Sequence, residues 1–303
     1  MALLVSAMWG GNVVALKLGL TAFPPFWSAF WRMLLGLAAL SAYAWYERVA
    51  LKPVRGEAWR LVVLGALFTV QISLLNFGTS LTSPAYAVVL LNSHPIFANL
   101  AGHFVEFEPR LNRSRILGLA LAFAGVCVVA TGQPPARLAP QPLLGNALLI
   151  GSAVLLGLRG VYTRGLVQSI EPTRALVWQV LLSLPAFLML GAIFEPAMTG
   201  PLRWAPVAAI AYQGVIVAGF CFIGWTTLLR RHSAGTLSMF AFTVPFFGMA
   251  LSALLFGERL GLRLLLGAAV VTAAILIVTV PGGGATRATG VEAEQEAAAE
   301  RST

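Results

Sequence analysis

Aspartate is missing from this 303-residue sequence, since all 11 acidic residues are glutamates. Aspartyl-phosphate pumps and EF-hand calcium loops both require aspartate, so neither chemistry is expected. Cysteine is nearly missing as well, because Cys127 and Cys221 stand alone inside apolar runs. Two such residues provide neither a disulfide framework nor the spacing of a metal site. We expect packing roles for both cysteines, and no metal ion or cofactor.

Charge of either sign is scarce: 10% of the residues are charged and 58% are hydrophobic. Soluble domains usually contain about 25% charged residues, so this composition indicates a chain that lies mostly in lipid. The net charge of +9 comes from Lys and Arg at the ends of apolar segments and in short loops. That distribution is typical of topology signals and predicts no nucleic-acid partner.

Long apolar runs are abundant. A spanning helix needs about 20 mostly apolar residues, and the sequence contains ten such segments, each bounded by charge, Pro or Gly. Backbone groups must be paired in lipid, so we predict an all-α polytopic membrane protein with ten transmembrane helices. The predicted spans are 2–20, 25–46, 59–81, 84–106, 112–132, 143–165, 172–195, 204–230, 234–257 and 261–281.

Both ends of the chain are predicted to lie in the cytoplasm. With that orientation, 13 of the 20 Lys and Arg fall on the cytoplasmic side and five on the opposite side, while Arg32 and Arg159 fall inside spans. This excess follows the positive-inside rule and favours a multi-pass protein of the cell inner membrane. Residues 282–303 are rich in Gly, Glu and Ala without an apolar face, which predicts a disordered cytoplasmic tail.

An internal duplication is the most informative pattern. Ser83–Glu108 aligns with Ser233–Glu258 without a gap, so that the first residues, the last residues and the prolines Pro95 and Pro245 coincide. Each copy has five predicted helices, and because five is odd, the second copy must enter the membrane from the opposite side. The pattern therefore predicts two inverted five-helix repeats around a site near the midplane, as in many secondary transporters.

The segment WGGNVVALKLGL, the following PP and WSAFWRMLLG, and the two P-x₁₂-E endings resemble the EamA family of the drug/metabolite transporter superfamily. The resemblance covers residues 2–281 and implies two inverted halves, 1–133 and 134–281, that form a metabolite carrier. Within the family, the chain looks most like exporters of amino acids, including aromatic amino acids, and of methyl viologen. The second half departs from the pattern because its first helix lacks the Trp9-Gly10 pair.

These observations predict a facilitative secondary transporter that exports amino acids or related small metabolites by alternating access. No acidic residue lies near the middle of a predicted span, and acid-based proton relays normally need one. A proton-coupled exporter of drugs or quaternary cations is the alternative, followed by an intramembrane enzyme or a channel. Enzyme activity is not expected, since no HExxH motif is present. The expected partners are a small-molecule substrate and membrane lipid, and a monomer would suffice.

Polar side chains inside spans are costly, so they tend to face the bundle interior. In the fourth predicted span, Asn92, Asn99 and His103 recur at i, i+7 and i+11, which places them on one stripe. Ser152 and Arg159 begin a stripe of the same spacing in the sixth span. We predict that such stripes line one central cavity. The predicted substrate-binding residues are Trp9, Asn12, Gln71, Tyr86, Asn92, Asn99, His103, Ser152, Arg159, Tyr162, Trp178, Gln213 and Phe242.

Arg159 lies near the middle of the sixth span, where an unpaired charge costs at least about 2.5 kcal/mol. A guanidinium there could hold a substrate carboxylate with two hydrogen bonds; the alternatives are snorkelling to the cytoplasmic end and pairing with backbone carbonyls. Arg32 has the simpler interpretation of tying neighbouring helices together. His94 and His103 could carry a proton, although hydrogen-bonded packing is the commoner role of such histidines.

Pro95 and Pro245 occupy matched positions within their predicted spans, where each removes a backbone donor. A paired hinge for alternating access and a static kink are equally compatible with this pattern. Gly118, Ala122 and Gly125 form a small-xxx-small face, which predicts close helix packing of the fifth span.

Overall fold

The computed structural model of the protein describes residues 2–105, 113–224 and 243–279. Within these ranges every regular element is helical, as predicted. The helices are α1 Ala2–Gly19, α2 Pro25–Tyr46, α3 Ala58–Leu81, α4 Pro84–Leu91, α5 His94–Gly102, α6 Arg113–Ala130, α7 Pro142–Leu166, α8 Pro172–Phe194, α9 Trp204–Ala211, the π-helix Tyr212–Cys221, α10 Val244–Phe256 and α11 Leu262–Thr279. Phe242 and the predicted tail, 282–303, lie outside the described residues.

Among the described residues, four helices are long and apolar enough to cross a membrane: Ala58–Leu81, Pro142–Leu166, Pro172–Phe194 and Trp204–Gly224. Large apolar side chains such as Trp45, Ile193 and Leu254 are exposed, as lipid-facing side chains would be. Cys127 is exposed as well, so the packing prediction is wrong for this residue, whereas it holds for the buried Cys221. The prediction of a helical, membrane-type protein is thus confirmed, and the count of ten spans stays a prediction.

Proline determines where several helices begin. Pro25, Pro84, Pro142 and Pro172 occupy the first positions of α2, α4, α7 and α8. The first helical residue needs no hydrogen-bonded N–H, and the fixed φ of proline suits that position. Because proline is visible in the sequence, these four helix starts agree with the predicted starts to within one residue.

Glu195, which directly follows α8, caps the start of α2. Its Oε2 accepts hydrogen bonds from the backbone N–H groups of Phe26, at 2.8 Å, and Trp27, at 3.2 Å. Burial raises the pKa of the Glu195 carboxyl, although the two N–H donors oppose this rise. The carboxylate satisfies donors that the first turn of a helix cannot pair internally, and it therefore joins α8 to α2.

We expect Glu195→Ala to lower the free energy of unfolding by about 1 kcal/mol, since the first turn of α2 loses its acceptor. The matched control is Glu47→Ala, which removes an exposed carboxylate from the other end of α2. Thermal unfolding of the purified variants in one detergent measures the difference. Superimposable melting curves for Glu195→Ala and Glu47→Ala would contradict the capping role.

The fourth predicted span is not one helix. It divides into α4, which ends at Leu91, and α5, which begins at His94, so that Pro95 lies in the first turn of α5. A helix cannot pass through proline without losing the hydrogen bond to the carbonyl four residues earlier, here that of Leu91. The prediction that Pro95 is in mid-helix is therefore wrong, because this proline begins a second helix. Pro245 takes the same position in the first turn of α10.

The short helix α4 is the centre of the bundle. All its residues from Pro84 to Leu90 are buried, and it contacts α1, α6, α7 and α10. Around it, α3 packs on α7, α2 on α8 and α6 on α11. The last contact confirms the predicted small-residue face, since a Cβ added to Gly125 would lie 2.9 Å from the Val271 side chain in α11. Small residues at such positions allow two helix backbones to approach closely.

Gly10 of α1 lies in close contact with the first turns of α10. A Cβ added to Gly10 would lie 2.8 Å from the Cβ of Phe247, 2.8 Å from the carbonyl oxygen of Val244 and 3.0 Å from the amide nitrogen of Gly248. These three atoms belong to the first, fourth and fifth residues of α10. A larger residue would have to push α1 and α10 apart.

Gly157 of α7 makes the corresponding contacts with α5. Its added Cβ would lie 3.0 Å from the Cβ of Phe97, 2.8 Å from the carbonyl oxygen of His94 and 2.7 Å from the amide nitrogen of Ala98. These atoms again belong to the first, fourth and fifth residues of the partner helix. The second half thus keeps the glycine of the Trp-Gly pair, and Leu156 replaces the tryptophan.

Candidate substrate site

The guanidinium of Arg159 lies between three helices. From α7, its Nη1 donates a hydrogen bond of 3.0 Å to Oε1 of Gln179 in α8. Its Cζ lies 5.0 Å from the centre of the Phe68 ring in α3, a distance at which a cation is attracted to an aromatic face. Its Nε is buried and has no hydrogen-bond partner. The side chain therefore neither snorkels nor binds backbone carbonyls. Its Nε–H group remains available as a hydrogen-bond donor.

Arg32 is the second cation inside the bundle, and it is 3% exposed. Its Nη1 donates a hydrogen bond of 3.0 Å to Oε1 of Gln213 in the π-helix. The Gln213 amide in turn donates to the carbonyl of Ala209. This arrangement confirms that Arg32 ties neighbouring helices together. As at Arg159, the guanidinium Nε is buried without a partner.

Neither guanidinium is close to a carboxylate among the described residues. The ion pair observed in this part of the chain joins Arg174 to Glu57 at 2.9 Å, where the backbone N–H of Val54 and the guanidinium hold the pKa of Glu57 below its usual range. Inside the bundle, by contrast, glutamine side chains are the partners of Arg32 and Arg159. A buried cation without a counter-ion favours the approach of an anionic group.

Gln71 and Ser152 bind each other. The Gln71 amide donates to Oγ of Ser152 at 3.0 Å, and the Ser152 hydroxyl donates to the backbone carbonyl of Gln71 at 3.0 Å. Both residues are buried, with Gln71 2% and Ser152 0% exposed. The two hydrogen bonds join α3 to α7. The prediction that Ser152 and Gln71 line a cavity is therefore not supported by their positions, which are those of a helix contact.

The predicted stripe of Asn92, Asn99 and His103 does not form, because the helix breaks between the first two residues. The Asn92 amide donates to the carbonyl of Val88, and the Asn99 amide donates to that of Pro95. Each asparagine is thus hydrogen-bonded within its own helix. His103 is exposed directly after α5, with its ring in edge contact with Phe104.

Two aromatic residues of the predicted set hold loops and helix ends. Nε1 of Trp178 donates to the carbonyl of Leu51 at 2.7 Å, which fixes the loop before α3. The Tyr162 hydroxyl donates to the carbonyl of Arg60 at 3.0 Å, which joins α7 to the start of α3. These hydrogen bonds give Trp178 and Tyr162 structural roles in addition to any contact with a substrate.

The remaining predicted substrate-binding residues among those described lie on two helices, α1 and α4. Trp9 and Asn12 are half-buried in α1, and the Trp9 ring lies 6.4 Å from that of Phe222. Tyr86 is 6% exposed in α4, which makes it part of the central packing. The predicted set is thus dispersed over several helix contacts, and Phe242 is outside the described residues.

A cavity of about 790 Å³ lies at the end of the bundle where α3 begins. It is lined mostly by apolar residues of α5 and α7, with Arg60 and Tyr162 as polar members. Tyr162 is the member of the predicted set that lines this cavity. Leu158 also lines it, so the cavity reaches the residue adjacent to Arg159.

The opposite end of the bundle contains a half-buried lysine, Lys17, that is not among the predicted site residues. Nζ of Lys17 donates to the carbonyls of Thr79 at 2.9 Å, Ser80 at 3.0 Å, Thr82 at 2.7 Å and Leu138 at 2.7 Å. Three of these carbonyls belong to the end of α3, where the helix dipole favours a cation. Lys17 therefore joins α1 to the end of α3 and to the loop before α7.

Glu258 is the second such residue. Its P-x₁₂-E spacing marks the repeat in the sequence but does not predict its role in the structure. It lies between α10 and α11 and is only 4% exposed. Its carboxylate accepts hydrogen bonds from the hydroxyls of Ser83 and Ser252 and from the backbone N–H of Ala85. The carboxylate of one half of the chain therefore caps α4 of the other half.

The comparisons with known proteins agree with the sequence resemblance. Residues 1–131 and 143–280 match the EamA-like transporter family. The chain is 26% identical over 290 residues to a protein of Escherichia coli named a probable amino-acid metabolite efflux pump, a match that covers 91% of this chain and 93% of that protein. A protein of Salmonella typhimurium with the same name is 28% identical over 289 residues, with the same coverage.

A transporter of Bacillus subtilis, YoaV, is 21% identical over 276 residues, which are 91% of this chain and 94% of that protein. A protein of known crystal structure has the same fold, with a TM-score of 0.67 at 19% identity over 92% of this chain and 95% of the solved chain. Because the family match includes nearly all the described residues, the chain belongs to the EamA-like transporter family.

Proposed function

We propose that this transporter exports amino acids or related small metabolites that carry a carboxylate, and that Arg159 binds this carboxylate. The observation that supports the proposal is the pairing of two buried guanidiniums, those of Arg32 and Arg159, with neutral glutamines. Both Nε atoms lack a partner. A carboxylate would balance the charge and accept from the unused donors, and charge-assisted hydrogen bonds of this kind are strong.

Arg159 is better placed than Arg32 to meet a substrate. Arg32 is almost fully buried, whereas Arg159 is half-buried. Arg159 also follows the cavity-lining residue Leu158 and precedes Tyr162 by three residues, which is a rise of about 4.5 Å along the helix. Arg159 does not itself line the cavity, so in this proposal a substrate must pass from the cavity to the guanidinium, one face of which Phe68 covers.

The same charges argue against the alternative of a quaternary-cation exporter. Among the described residues inside the bundle, Arg32 and Arg159 provide two positive charges without a neighbouring carboxylate. A cation in this region would be repelled, and like-charge juxtaposition in a dry site is a strong barrier to binding. The names of the two efflux-pump relatives also favour amino-acid metabolites as cargo.

Two inverted halves that alternate in access are part of this proposal. The matching contacts of Gly10 with α10 and of Gly157 with α5 support it, because the two halves then use one contact twice. The polar contacts around Lys17 and Glu258 would close one end, while the cavity lies at the other. If both termini lie in the cytoplasm, as predicted, the cavity end would face the cytoplasm too, where an exporter takes up its substrate.

Counterflow in proteoliposomes tests the proposed function. Vesicles containing the purified protein are loaded with one unlabelled amino acid at millimolar concentration and diluted into the labelled form. A carrier of that amino acid accumulates label transiently, and unlabelled substrate outside competes with saturable kinetics. The panel should include neutral amino acids, their methyl esters, which lack the carboxylate, and methyl viologen.

We expect label to accumulate with one or more free amino acids and not with the corresponding methyl ester. A flux that increases linearly with concentration and shows no counterflow would instead indicate a channel. Equal transport of an amino acid and its ester would contradict the carboxylate anchor, and transport of methyl viologen alone would support the alternative that the charges disfavour.

A further inference from the structure

The corner between α3 and α4 is held by two charged groups. The last carbonyls of α3 carry a partial negative charge and contact the ammonium of Lys17. The first N–H groups of α4 carry a partial positive charge and contact the carboxylate of Glu258. Each helix end thus meets a charge of the sign that its dipole favours. Thr82 and Ser83, which form the corner, are both 0% exposed.

Glu258 holds α4 from the other half of the chain. Ser83 and Ala85, which donate to it, lie at the start of α4, while Ser252 donates from α10.

The residues next to Glu258 are held as well. The carbonyls of Gly257 and Phe256 accept hydrogen bonds from the Arg137 guanidinium. The segment that carries Glu258 is therefore attached to both the loop before α7 and the start of α4, and these contacts close this end of the bundle.

Helix α4 connects this end to Arg159. It is buried on all sides and is separated from α5 by only two residues. The start of α5 packs against Gly157, two residues before Arg159 in α7. Because α4 has no exposed face, it can leave its position only if the contacts at its first turn are released. A displacement of its first turn would be transmitted through α5 to the helix that carries Arg159.

We propose that Glu258 is the latch of this end of the carrier: it holds the end closed by capping α4, and its release from Ser83 and Ala85 is a step of transport. This inference rests on the proposed alternating access, but not on the nature of the substrate. The latch joins the two halves of the chain, so it breaks when the halves move relative to each other. The cavity end would close as the latch end opens.

Hydrogen–deuterium exchange of the purified full-length chain tests the latch without any substrate. Glu258→Gln keeps the size of the side chain and removes its charge. We expect exchange of the first-turn amides of α4 to rise about tenfold, as the loss of charge-assisted hydrogen bonds implies. At the same time, amides of α5 and of α7 around the cavity should become more protected. The control is Glu57→Gln, which removes a carboxylate at the cavity end.

The reciprocal change separates a latch from a simple helix cap. Faster exchange in α4 without added protection around the cavity would overturn the proposal and leave Glu258 as a local cap. If Glu258→Gln does not fold, Ser83→Ala tests the latch instead, since it removes one hydrogen-bond donor to Glu258 and retains the charge of the carboxylate. Ser83→Ala should then give the same reciprocal pattern with a smaller change, and its absence would equally overturn the latch. Failure of amino-acid counterflow would leave these exchange results unaffected.

Discussion

Replacing Arg159 with glutamine should lower the export of carboxylate-bearing substrates by about 10- to 100-fold, the range expected when a charge-assisted hydrogen bond is lost. The guanidinium donates to one neutral partner, Gln179, and its buried Nε has no partner, so its removal breaks no internal ion pair. Arg159→Lys should be nearly as defective, because an ammonium keeps the charge but cannot hold a carboxylate with two parallel hydrogen bonds. Initial rates of counterflow in proteoliposomes measure both effects.

Arg164→Gln is the matched control for this prediction, since Arg164 lies in the last turn of the same helix and is exposed. Its flux should stay close to that of the wild type. Melting temperatures of all three variants are needed to exclude misfolding. If Arg159→Gln is stable and transports at the wild-type rate, the carboxylate must bind elsewhere in the protein.

Gly157→Ala should destabilise the protein by about 1 to 3 kcal/mol, the usual range for overpacking. The added Cβ would lie 2.7 Å from the amide nitrogen of Ala98 and 2.8 Å from the carbonyl oxygen of His94. Both atoms belong to the backbone of α5, so no side-chain rotation can relieve the contact, and α5 and α7 must separate. Flux should fall as well, because Arg159 is displaced with its helix.

Gly160→Ala on the same helix is the control for Gly157→Ala, since a Cβ added to Gly160 has no heavy atom within 4 Å. Alanine favours a helix over glycine by about 1 kcal/mol. The two substitutions should therefore move the melting temperature in opposite directions, down for Gly157→Ala and unchanged or up for Gly160→Ala. A shift of the same sign for both would show that the α5–α7 contact is looser than the structure indicates.

Much of the fold follows from local features of the sequence. The length of an apolar run and the proline at its start depend on one segment alone, and so α2, α7 and α8 were predicted to within one or two residues at both ends. The sequence does not predict the division between α4 and α5, because Pro95 lies within one continuous apolar run, where a hinge and a static kink are equally compatible with it. The π-helix from Tyr212 to Cys221 has no comparable signal in the sequence.

The candidate site was less predictable, because periodicity gives the face of a helix and not its partner on another helix. Arg159 was recognised from its charge, but Gln179 was not selected, since one neutral amide in an apolar helix has many possible roles. Gln71 and Ser152 were correctly recognised as buried polar residues, yet they bind each other. The capping role of Glu258 depends on a tertiary contact between the start of α4 and the loop that follows α10. No local pattern in the sequence predicts this contact.

The ammonium of Lys17 has an evolutionary consequence, because all four of its acceptors are main-chain oxygens. Every amino acid supplies a backbone carbonyl, so positions 79, 80 and 138 can change identity while the contact persists. Selection for this contact falls on the lysine alone. Distant relatives can therefore keep the same junction between α1 and α3 with little sequence identity at one side of it.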